Sequence, residues 1–144
     1  MADDKTARSL TTIGRLERVD IPEWNLYDLE AKIDTGAYTS SLHCHHIKVE
    51  ENNGKSMVRF KLLDPSHSDY NDKALMLPVY KTKNVKSSNG ISEERIIVKT
   101  KIVLAGKGIK AQLSLTDRSE MRYPLLIGRR LLKGRFLVDV SRKF

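Results

Sequence analysis

Hydrophobic residues recur at every second position along much of this chain, and this alternation is the feature that most constrains its fold. The pattern is clearest over residues 29–33, 58–62 and 109–115, and it continues over residues 98–104 and 136–140. Successive side chains of a β-strand point to opposite faces, so a period of two predicts strands with one buried and one exposed face. We therefore expect a mostly antiparallel, all-β protein.

Turn-forming residues lie between the alternating segments. Asn53-Gly54 is predicted to turn a hairpin over about residues 45–62. Residues 105–108, which include two glycines, are predicted to turn a second hairpin over about residues 95–116. Because such hairpins join neighbouring antiparallel strands, they support the all-β expectation.

Little helix is expected in this sequence. Residues 129–133 are the one helical candidate, and Gly134 is placed to end that helix. The polar and unpatterned residues 1–10 are predicted to be a disordered tail. This leaves residues 11–144 as a single predicted domain.

The composition excludes several classes of protein. With 40% hydrophobic and 31% charged residues, the 144-residue chain has the balance of an ordinary globular domain. No apolar run approaches the roughly 20 residues that cross a bilayer, and the charged N-terminus lacks the apolar block of a signal peptide. The single cysteine, Cys44, cannot form an internal disulfide, which points to a reducing compartment and to the cytoplasm.

Positive charge is concentrated toward the C-terminus. Residues 1–94 contain 13 basic and 15 acidic residues, a net charge of −2, whereas residues 95–144 contain 13 basic and 3 acidic residues, a net charge of +10. A basic surface suits nucleic acid, an anionic membrane surface or an acidic protein substrate. Charge alone does not choose among these partners.

The segment Asp34-Thr35-Gly36 follows directly on a strand that is predicted to be buried. An aspartate at such a position is costly unless it is hydrogen-bonded or functional. Aspartate and glycine are also favoured in turns. Taken alone, the three residues therefore fit an ordinary turn as well as a catalytic loop.

A second informative segment follows about 90 residues later. Residues 123–132 (YPLLIGRRLL) form a short apolar strand that runs into Gly128 and then a helical turn. Together with residues 31–37 (AKIDTGA), this segment resembles the retropepsins, the single-domain aspartic proteases. In that family the two corresponding segments cross beneath the active site, and the glycine lets their backbones approach closely.

A bacterial branch of this class gives a closer match. The chain is similar to a bacterial retropepsin-like family that is often labelled as ATP-dependent zinc proteases and is associated with ATP-grasp glutamate ligases. The resemblance covers about residues 12–142 and implies a closed, retropepsin-like (acid protease) β-barrel with one short C-terminal helix. Its motifs are residues 31–43 (AKIDTGAYTSSLH), Ser87-Ser88, Gly90, and residues 115–119 (LTDRS) leading to Gly128-Arg129.

The resemblance also implies how the site works. Aspartic proteases hold two carboxylates about 3 Å apart that share one proton. One chain supplies one carboxylate, so a two-fold homodimer would bring Asp34 of each subunit to the symmetry axis. Thr35 would brace the loops across that interface, and Gly36 would let backbone and substrate approach. Asp34, Thr35 and Gly36 are therefore the expected catalytic residues.

Other residues are expected to bind the substrate. Retropepsins cover their substrate with a glycine-tipped hairpin; residues 83–93 are the candidate here, with an ordinary surface hairpin as the alternative. Arginine holds a carboxylate through two parallel hydrogen bonds, so basic residues near the site suit an acidic peptide. The resemblance implies substrate contacts for Ala37, Ser87, Ser88, Gly90, Arg118 and Arg129.

No metal ion or cofactor is expected. Residues 43–46 (HCHH) put four possible ligands in a row, but neighbours in a strand face opposite ways, so at most alternate ones converge. The chain has no H-E-x-x-H motif, and residues 106–108 (GKG) lack the rest of a phosphate-binding loop. Cys44 is expected to be a small buried side chain rather than a nucleophile.

The expected function is that of a homodimeric aspartic peptidase that cleaves acidic peptides, with glutamate-rich ones as the narrower case. Part of the family is associated with removing glutamates added by the ligase, which makes an ATP-grasp glutamate ligase an expected partner. The alternative is a non-catalytic module that keeps the fold and binds an acidic partner. Nucleic acid is disfavoured as a partner, because the aromatic residues show no arrangement resembling a base-stacking platform, and no membrane partner is expected. Tyr38 stands where retroviral sequences usually carry another acid, which leaves open how a peptide binds beside the loop.

Overall fold

The computed structural model describes residues 10–62, 74–86, 90–117 and 122–144. Within these ranges the chain is mostly β-strand, with one short α-helix and one 3-10 turn, so the expected all-β class is confirmed. The strands are β1 (Thr11–Ile13), β2 (Leu16–Ile21), β3 (Leu26–Ile33), β4 (Ser40–Asn52), β5 (Lys55–Leu62), β6 (Ala74–Pro78), β7 (Lys81–Lys86), β8 (Ser92–Leu104), β9 (Lys107–Thr116), β10 (Leu125–Ile127) and β11 (Phe136–Val138). The helix, α1, is Arg129–Leu132, and the 3-10 turn is Pro22–Trp24.

Both hairpins predicted from turn residues are present. β4 and β5 pair antiparallel around a turn in which Asn53 and Gly54 have φ of 53° and 79°. β8 and β9 pair around a turn in which Ala105 and Gly106 have φ of 50° and 77°. Positive φ at both central residues is typical of the type I′ turn, whose twist matches that of paired strands and which favours asparagine and glycine.

The pairings of the nine-stranded main sheet return to the strand where they begin. The strand order is β10-β3-β2-β8-β9-β4-β5-β6, and β7 pairs with β8. Because β10 pairs with both β3 and β4, six of these strands form a continuous ring of pairings. β1 and β11 form a separate parallel pair near the two ends of the described chain. The ring places β10 between the end of β3 and the start of β4.

The core is built from the strand faces that the alternation predicted. In β5 the buried residues are Val58, Phe60 and Leu62, at every second position. The Trp24 ring packs edge-on against the Phe60 ring, with centroids 5.8 Å apart. Burial of each such side chain contributes about 1.5–3 kcal/mol. Other fully buried large residues are Ile13, Ile21, Leu26, Leu29, Leu42, Ile97, Ile102, Leu104, Leu113 and Leu125.

The helix α1 is slightly shorter than the sequence predicted. It ends at Leu132, with Lys133 as its C-cap residue, and Gly134 follows at φ 76°. Leu131 and Leu132 are buried. The single helical turn therefore serves to anchor the segment that follows β10 to the core.

The division into a tail of residues 1–10 and a domain of residues 11–144 stays a prediction, because residues 1–9 lie outside the described ranges. None of the helical segments in the described part of the chain has the length and apolar character needed to cross a bilayer.

Candidate active site

The D-T-G loop begins where β3 runs parallel to β10. Ala31 pairs with Leu125, and Ile33 pairs with Ile127. The backbone N–H of Asp34 continues this pairing by donating to the carbonyl oxygen of Ile127 at 2.8 Å. The position of Asp34 is therefore fixed by a pair of buried strands.

Backbone hydrogen bonds join the end of this loop to the start of α1. The N–H of Arg129 donates to the carbonyl oxygen of Ala37 at 2.8 Å, and the N–H of Arg130 donates to that of Tyr38 at 2.9 Å. The first N–H groups of a helix have no partner inside the helix, so the loop satisfies donors that would otherwise need water. The two segments that stood out in the sequence thus lie in direct contact.

Gly128 is a point of close approach between these segments. Its N–H donates to Oγ of Ser40 at 3.0 Å. A Cβ atom on Gly128 would lie 2.8 Å from the carbonyl oxygen of Tyr38 and 2.9 Å from that of Ala37. Because both oxygens belong to hydrogen-bonded backbone, no larger residue fits at Gly128 unless the loop moves.

The Asp34 carboxylate is partly buried, and the neighbouring glycine keeps space beside it. Oδ1 of Asp34 accepts a hydrogen bond from the N–H of Gly36 at 3.0 Å. A Cβ atom on Gly36 would lie 3.3 Å from that same oxygen, which is closer than ordinary van der Waals contact. The D-T-G loop of one chain therefore presents a single accessible carboxylate, half of the pair that aspartic-peptidase chemistry requires.

Arg129 contacts the loop through its side chain as well as its backbone. Its Nη1 donates to the carbonyl oxygen of Thr35 at 3.0 Å, and its Cζ lies 5.8 Å from the centroid of the Tyr38 ring. Cζ of Arg130 lies 5.9 Å from the same centroid. Tyr38 thus interacts with two arginines at the position where retroviral sequences usually carry an acid. Contact between Arg129 and substrate stays a prediction.

Three clefts in the described part of the chain adjoin the D-T-G loop, and two of them are basic. The first, here called the β10 cleft, has a volume of about 490 Å³. Its three cationic side chains belong to Arg15, Lys32 and Arg122, and its lining contains no carboxylate. The remaining lining residues are Leu16, Ile33, Tyr123 and Leu126.

The second basic cleft, here called the hairpin cleft, is lined by residues 37–39 at the end of the loop and by β7 and β8, and has a volume of about 300 Å³. Its cations are Lys83 of β7 and Arg95 of β8. The Arg95 side chain is 15% exposed and forms an ion pair with Glu93 at 3.5 Å. Its Nε has no hydrogen-bond acceptor among the described residues. The other lining residues are Ala37, Tyr38, Thr39, Ser41, Ile97 and Ser114.

The third cleft, here called the apolar cleft, lies beside Thr35 and has a volume of about 370 Å³. Three of its lining residues, Leu132, Phe136 and Val138, are aliphatic or aromatic side chains of α1 and β11. Tyr38, Arg129 and Lys133 complete the lining. All three clefts therefore carry cationic side chains, and the apolar cleft adds the apolar side chains of α1 and β11 beside Thr35.

The hairpin predicted to cover the substrate is present as strands β7 and β8. Lys86 pairs with Ser92 at its distal end, and Gly90 lies in the connection with φ of 86°. Both Gly90 and Ile91 are exposed. The hairpin borders the hairpin cleft through Lys83 and Arg95, while its covering role stays a prediction.

The described ranges do not include every residue that the sequence singled out. Ser87, Ser88 and Arg118 lie outside them. Conversely, Arg15 and Lys32 line a cleft beside Asp34 and were not anticipated. A polar residue on the exposed face of β3 was a possible signal for Lys32, whereas nothing in the local sequence marks Arg15.

The residues considered as metal ligands or as a nucleophile lie in β4. Cys44 is buried, and burial raises the pKa of its thiol from 9.0 to about 12, which keeps the thiol protonated near neutral pH. His43 is also buried, whereas His45 and His46 pack ring to ring with centroids 4.6 Å apart. Among the described residues, no three histidine, cysteine, aspartate or glutamate side chains lie close enough together to hold a metal ion.

The parallel pairing of β3 with β10, together with the D-T-G loop that follows it, is here called the β3–β10 crossing. The β-strand ring and this crossing define a retropepsin-like protein of the aspartic-peptidase class. Residues 12–144 match the RimB-like family, which is described as "Retropepsin-like aspartic endopeptidase RimB". The chain therefore belongs to this family, and the sequence-based recognition of a bacterial retropepsin-like family is confirmed.

Similar proteins fall into two groups. A "Probable alpha-L-glutamate ligase" of Shewanella pealeana is 35% identical over 136 residues, which cover 92% of this chain and 29% of the ligase. A protein with the same name from Parasynechococcus marenigrum is 31% identical over 131 residues, covering 88% of this chain and 27% of that protein. This chain thus spans less than a third of these relatives. The crystal structure of Lpg0085, a protein of unknown function from Legionella pneumophila, has a TM-score of 0.74 and 28% identity, covering 93% of this chain and 96% of that one.

Proposed function

We propose that this protein is a homodimeric aspartic peptidase that hydrolyses acidic peptides, built on a closed acid-protease barrel. The observation that carries the proposal is the Asp34 carboxylate, held at the β3–β10 crossing with space beside it. The ring of strand pairings supports the barrel. Membership of a family described as an aspartic endopeptidase supports the reaction class.

The proposed chemistry needs one Asp34 from each subunit. Two carboxylates about 3 Å apart cannot both be ionised, so they share one proton. The ionised carboxylate takes a proton from a water molecule, whose oxygen attacks the carbonyl carbon of the scissile amide. The protonated carboxylate donates to the carbonyl oxygen. Collapse of the tetrahedral intermediate breaks the C–N bond, and a proton passes to the leaving amine.

The apolar cleft supports the dimer. It lies beside Thr35, the residue that would meet its symmetry mate if the two Asp34 carboxylates met on a two-fold axis. Phe136 and Val138 alternate along β11 and so turn the same strand face toward this cleft. Apolar side chains next to half of a catalytic pair would be buried against a second copy of the chain.

The two basic clefts support an acidic substrate. The β10 cleft and the hairpin cleft together carry five cationic side chains. A peptide with several carboxylates could place negative charge in both clefts. Arg95 already pairs with Glu93, so Arg15, Lys32, Lys83 and Arg122 are the cations of these clefts that have no ion pair among the described residues. Substrate contacts of Ala37, Gly90, Arg118, Arg129, Ser87 and Ser88 belong to the same proposal.

The relatives suggest where acidic peptides come from. Proteins that contain a region similar to this chain are named as probable alpha-L-glutamate ligases, and this chain corresponds to less than a third of their length. A ligase of this name adds glutamate, so a peptidase acting beside it in the cytoplasm would remove glutamate from the same acceptor. We propose such an ATP-grasp ligase as the functional partner.

Replacement of the proposed catalytic carboxylate tests the reaction. Asp34→Asn should lower kcat/KM for a glutamate-rich peptide by at least about a thousandfold, because the amide can neither ionise nor share the proton. Thermal unfolding should show that the variant remains folded. A variant that cleaves as fast as the wild type would exclude the dyad. If both the wild type and the variant bind the peptide and neither cleaves it, the non-catalytic module is supported instead.

Mixing of subunits tests the dimer. If both carboxylates are needed, a large excess of the Asp34→Asn variant added to wild-type protein should draw wild-type subunits into inactive heterodimers. Activity per wild-type subunit should then fall toward zero at equilibrium. Sedimentation of the same samples should show dimers. Activity that stays proportional to the wild-type concentration, with the protein sedimenting as a monomer, would contradict the homodimer.

A further inference from the structure

A fourth, smaller cavity is lined by residues of β4, β8, β9 and α1 and does not include the D-T-G loop. It has a volume of about 200 Å³ and is called the basic cavity here. Four cationic side chains reach it: Lys99 of β8, Lys110 of β9, Arg130 of α1, and Arg135. The remaining lining residues are Ser40, Ala111, Gln112 and Leu131. The cavity is therefore ringed by positive charge and contains no carboxylate.

The cations of the basic cavity have no carboxylate partner among the described residues, although Nζ of Lys99 lies 3.8 Å from the centroid of the Tyr80 ring and Nη1 of Arg135 donates to the carbonyl oxygen of Leu131 at 3.0 Å. In the described ranges the ion pairs are Arg59–Glu50 and Arg95–Glu93, and neither involves the cavity. Glu23 is bound to the backbone N–H of Lys101 at 3.0 Å and so lies along the same strand without joining the lining. Four like charges around a small cavity repel one another, so the arrangement favours an anionic ligand over an empty site.

The strand pairing adds to this repulsion. Lys101 of β8 lies directly opposite Lys110 of β9, and like charges at paired positions destabilise a sheet. Lys99 lies opposite Gln112. Of these two paired lysines, Lys110 lines the basic cavity, so an anion bound there would relieve part of the repulsion.

Gln112 provides an independent sign of a missing ligand. Gln112 is partly exposed and lines the cavity, but its side-chain oxygen is turned into the protein, where no donor among the described residues reaches it, so the amide gains a partner if it rotates toward a ligand. Buried polar atoms are normally hydrogen-bonded. A side-chain amide can accept from a peptide N–H or, after rotation, donate to a carboxylate. An extended peptide offers both groups, whereas a simple inorganic anion offers no N–H.

The basic cavity continues the line of the hairpin cleft. Arg95, Ile97 and Lys99 are alternate residues of β8, so they lie on one face of the strand, and Arg95 and Ile97 line the hairpin cleft. The strand rises about 3.3 Å per residue, which puts Arg95 and Lys99 about 13 Å apart along the strand. An extended peptide covers that distance with about four residues.

We infer that the basic cavity is a remote carboxylate-binding subsite, which holds acidic residues of an extended substrate about four residues beyond those in the hairpin cleft. The identity of the ligand rests on the proposed function, but binding here needs no chemistry at Asp34. The subsite would make long acidic chains better ligands than short ones.

The test is peptide binding to the full chain carrying Asp34→Asn, which keeps the peptide intact. Fluorescein-labelled octaglutamate and tetraglutamate are titrated by anisotropy against this protein and against the same protein with Lys99→Gln and Lys110→Gln added. We expect these two changes to weaken octaglutamate binding about tenfold and tetraglutamate binding less than twofold. Lys48→Gln and Lys55→Gln, which remove two exposed lysines from β4 and β5, are the charge-matched control and should change neither affinity.

Each outcome bears on the subsite. Equal losses for both peptides, equal losses in the control variant, or no loss at all would overturn it. Tighter binding of a labelled oligouridine of equal charge, abolished by the same two changes, would also overturn it and make the cavity a nucleic-acid contact. Failure of the wild type to cleave any acidic peptide, with the length-dependent loss intact, would reject the proposed reaction and leave the binding subsite in place.

Discussion

The β3–β10 crossing and the basic cavity share Ser40, which accepts a hydrogen bond from Gly128 and also lines the cavity. The two regions differ in how their polar groups are satisfied. At the crossing, the N–H groups of Asp34, Gly128 and Arg129 all have protein acceptors within 3.0 Å. In the basic cavity, four cations have no carboxylate partner in the described chain, and the Gln112 oxygen has no donor. The first region holds itself together, whereas the second has capacity left for a ligand.

In the proposed function, this difference separates residues that would position the catalytic group from residues that would recognise substrate. Satisfied backbone hydrogen bonds in a buried crossing hold the Asp34 backbone in place, which the proposed catalysis needs. Unsatisfied charge on the surface attracts a ligand but adds no stability to the fold. Substitutions in the two regions should therefore affect different measurements.

The largest expected effect is the slow alkylation of Cys44, a buried thiol of the strand that pairs with β10. Cys44 lies in β4, two residues beyond Leu42, which pairs with β10. Because its pKa is raised from 9.0 to about 12, its thiolate fraction near pH 8 should be about a thousandfold lower in the folded than in the unfolded protein. Iodoacetamide should label Cys44 at least that much more slowly before denaturation than after it, as followed by mass spectrometry. Rapid labelling of the folded protein would show that β4 opens.

The same raised pKa predicts how stability depends on pH. The folded-state pKa of Cys44 lies above the unfolded value, so the contribution of this buried thiol is complete below pH 9 and is lost as the pH rises toward 12. Urea unfolding at several alkaline pH values, compared between the wild type and Cys44→Ala, isolates that loss. An identical pH dependence in both proteins would contradict the assignment.

A second contrast compares Gly128 at the crossing with Gly108 of β9, one of the strands that line the basic cavity. Gly128→Ala should destabilise the protein by about 2–3 kcal/mol and reduce activity, because its Cβ would strike hydrogen-bonded backbone of Tyr38 and Ala37. In Gly108→Ala the new Cβ would lie 2.6 Å from Cε of Lys101, the end of a flexible side chain that can move. We expect that variant to change the free energy of unfolding by no more than about 0.5 kcal/mol. Equal effects in urea unfolding would remove the distinction between the regions.

A third contrast compares neighbouring arginines of α1. Arg129→Ala removes the hydrogen bond to the Thr35 carbonyl oxygen, so it should lower kcat about tenfold for neutral and acidic peptides alike. Arg130→Ala removes a cation of the basic cavity and should instead raise KM for long acidic peptides. A rise in KM for acidic peptides alone in Arg129→Ala would indicate direct substrate contact by Arg129. That result would support the role the sequence predicted for it.

The smallest expected effect is that of salt. Exposed cations are screened over roughly 8 Å at physiological ionic strength. The preference in kcat/KM for an acidic over a neutral peptide should therefore fall about threefold when ionic strength rises from about 0.05 M to about 0.5 M. The rate for the neutral peptide should hardly change, since backbone hydrogen bonds hold the crossing and no ion pair among the described residues does. A preference that ignores salt would exclude exposed cations as its source.

The main strands, two of their turns and the D-T-G loop could be predicted from the sequence alone. Alternation fixed which face of β5 and β9 is buried, and asparagine and glycine fixed the hairpin turn at residues 53–54, because both depend on backbone geometry within a few residues. Asp34 and Gly128 were recognisable because their motifs are short and contiguous. The excess of positive charge after residue 94 was also countable in advance.

Which of those cationic side chains line the same cleft depends on the three-dimensional fold. Arg15, Lys32 and Arg122 come from three separate segments and converge because β2, β3 and β10 are neighbours in the ring. Lys99 and Lys110 line one cavity because β8 pairs with β9 in one particular register, and Arg130 of α1 lines the same cavity. A shift of one residue in that register would turn the two lysines to opposite faces of the sheet. Strand register is set by packing across the whole core, so no local pattern in the sequence specifies it.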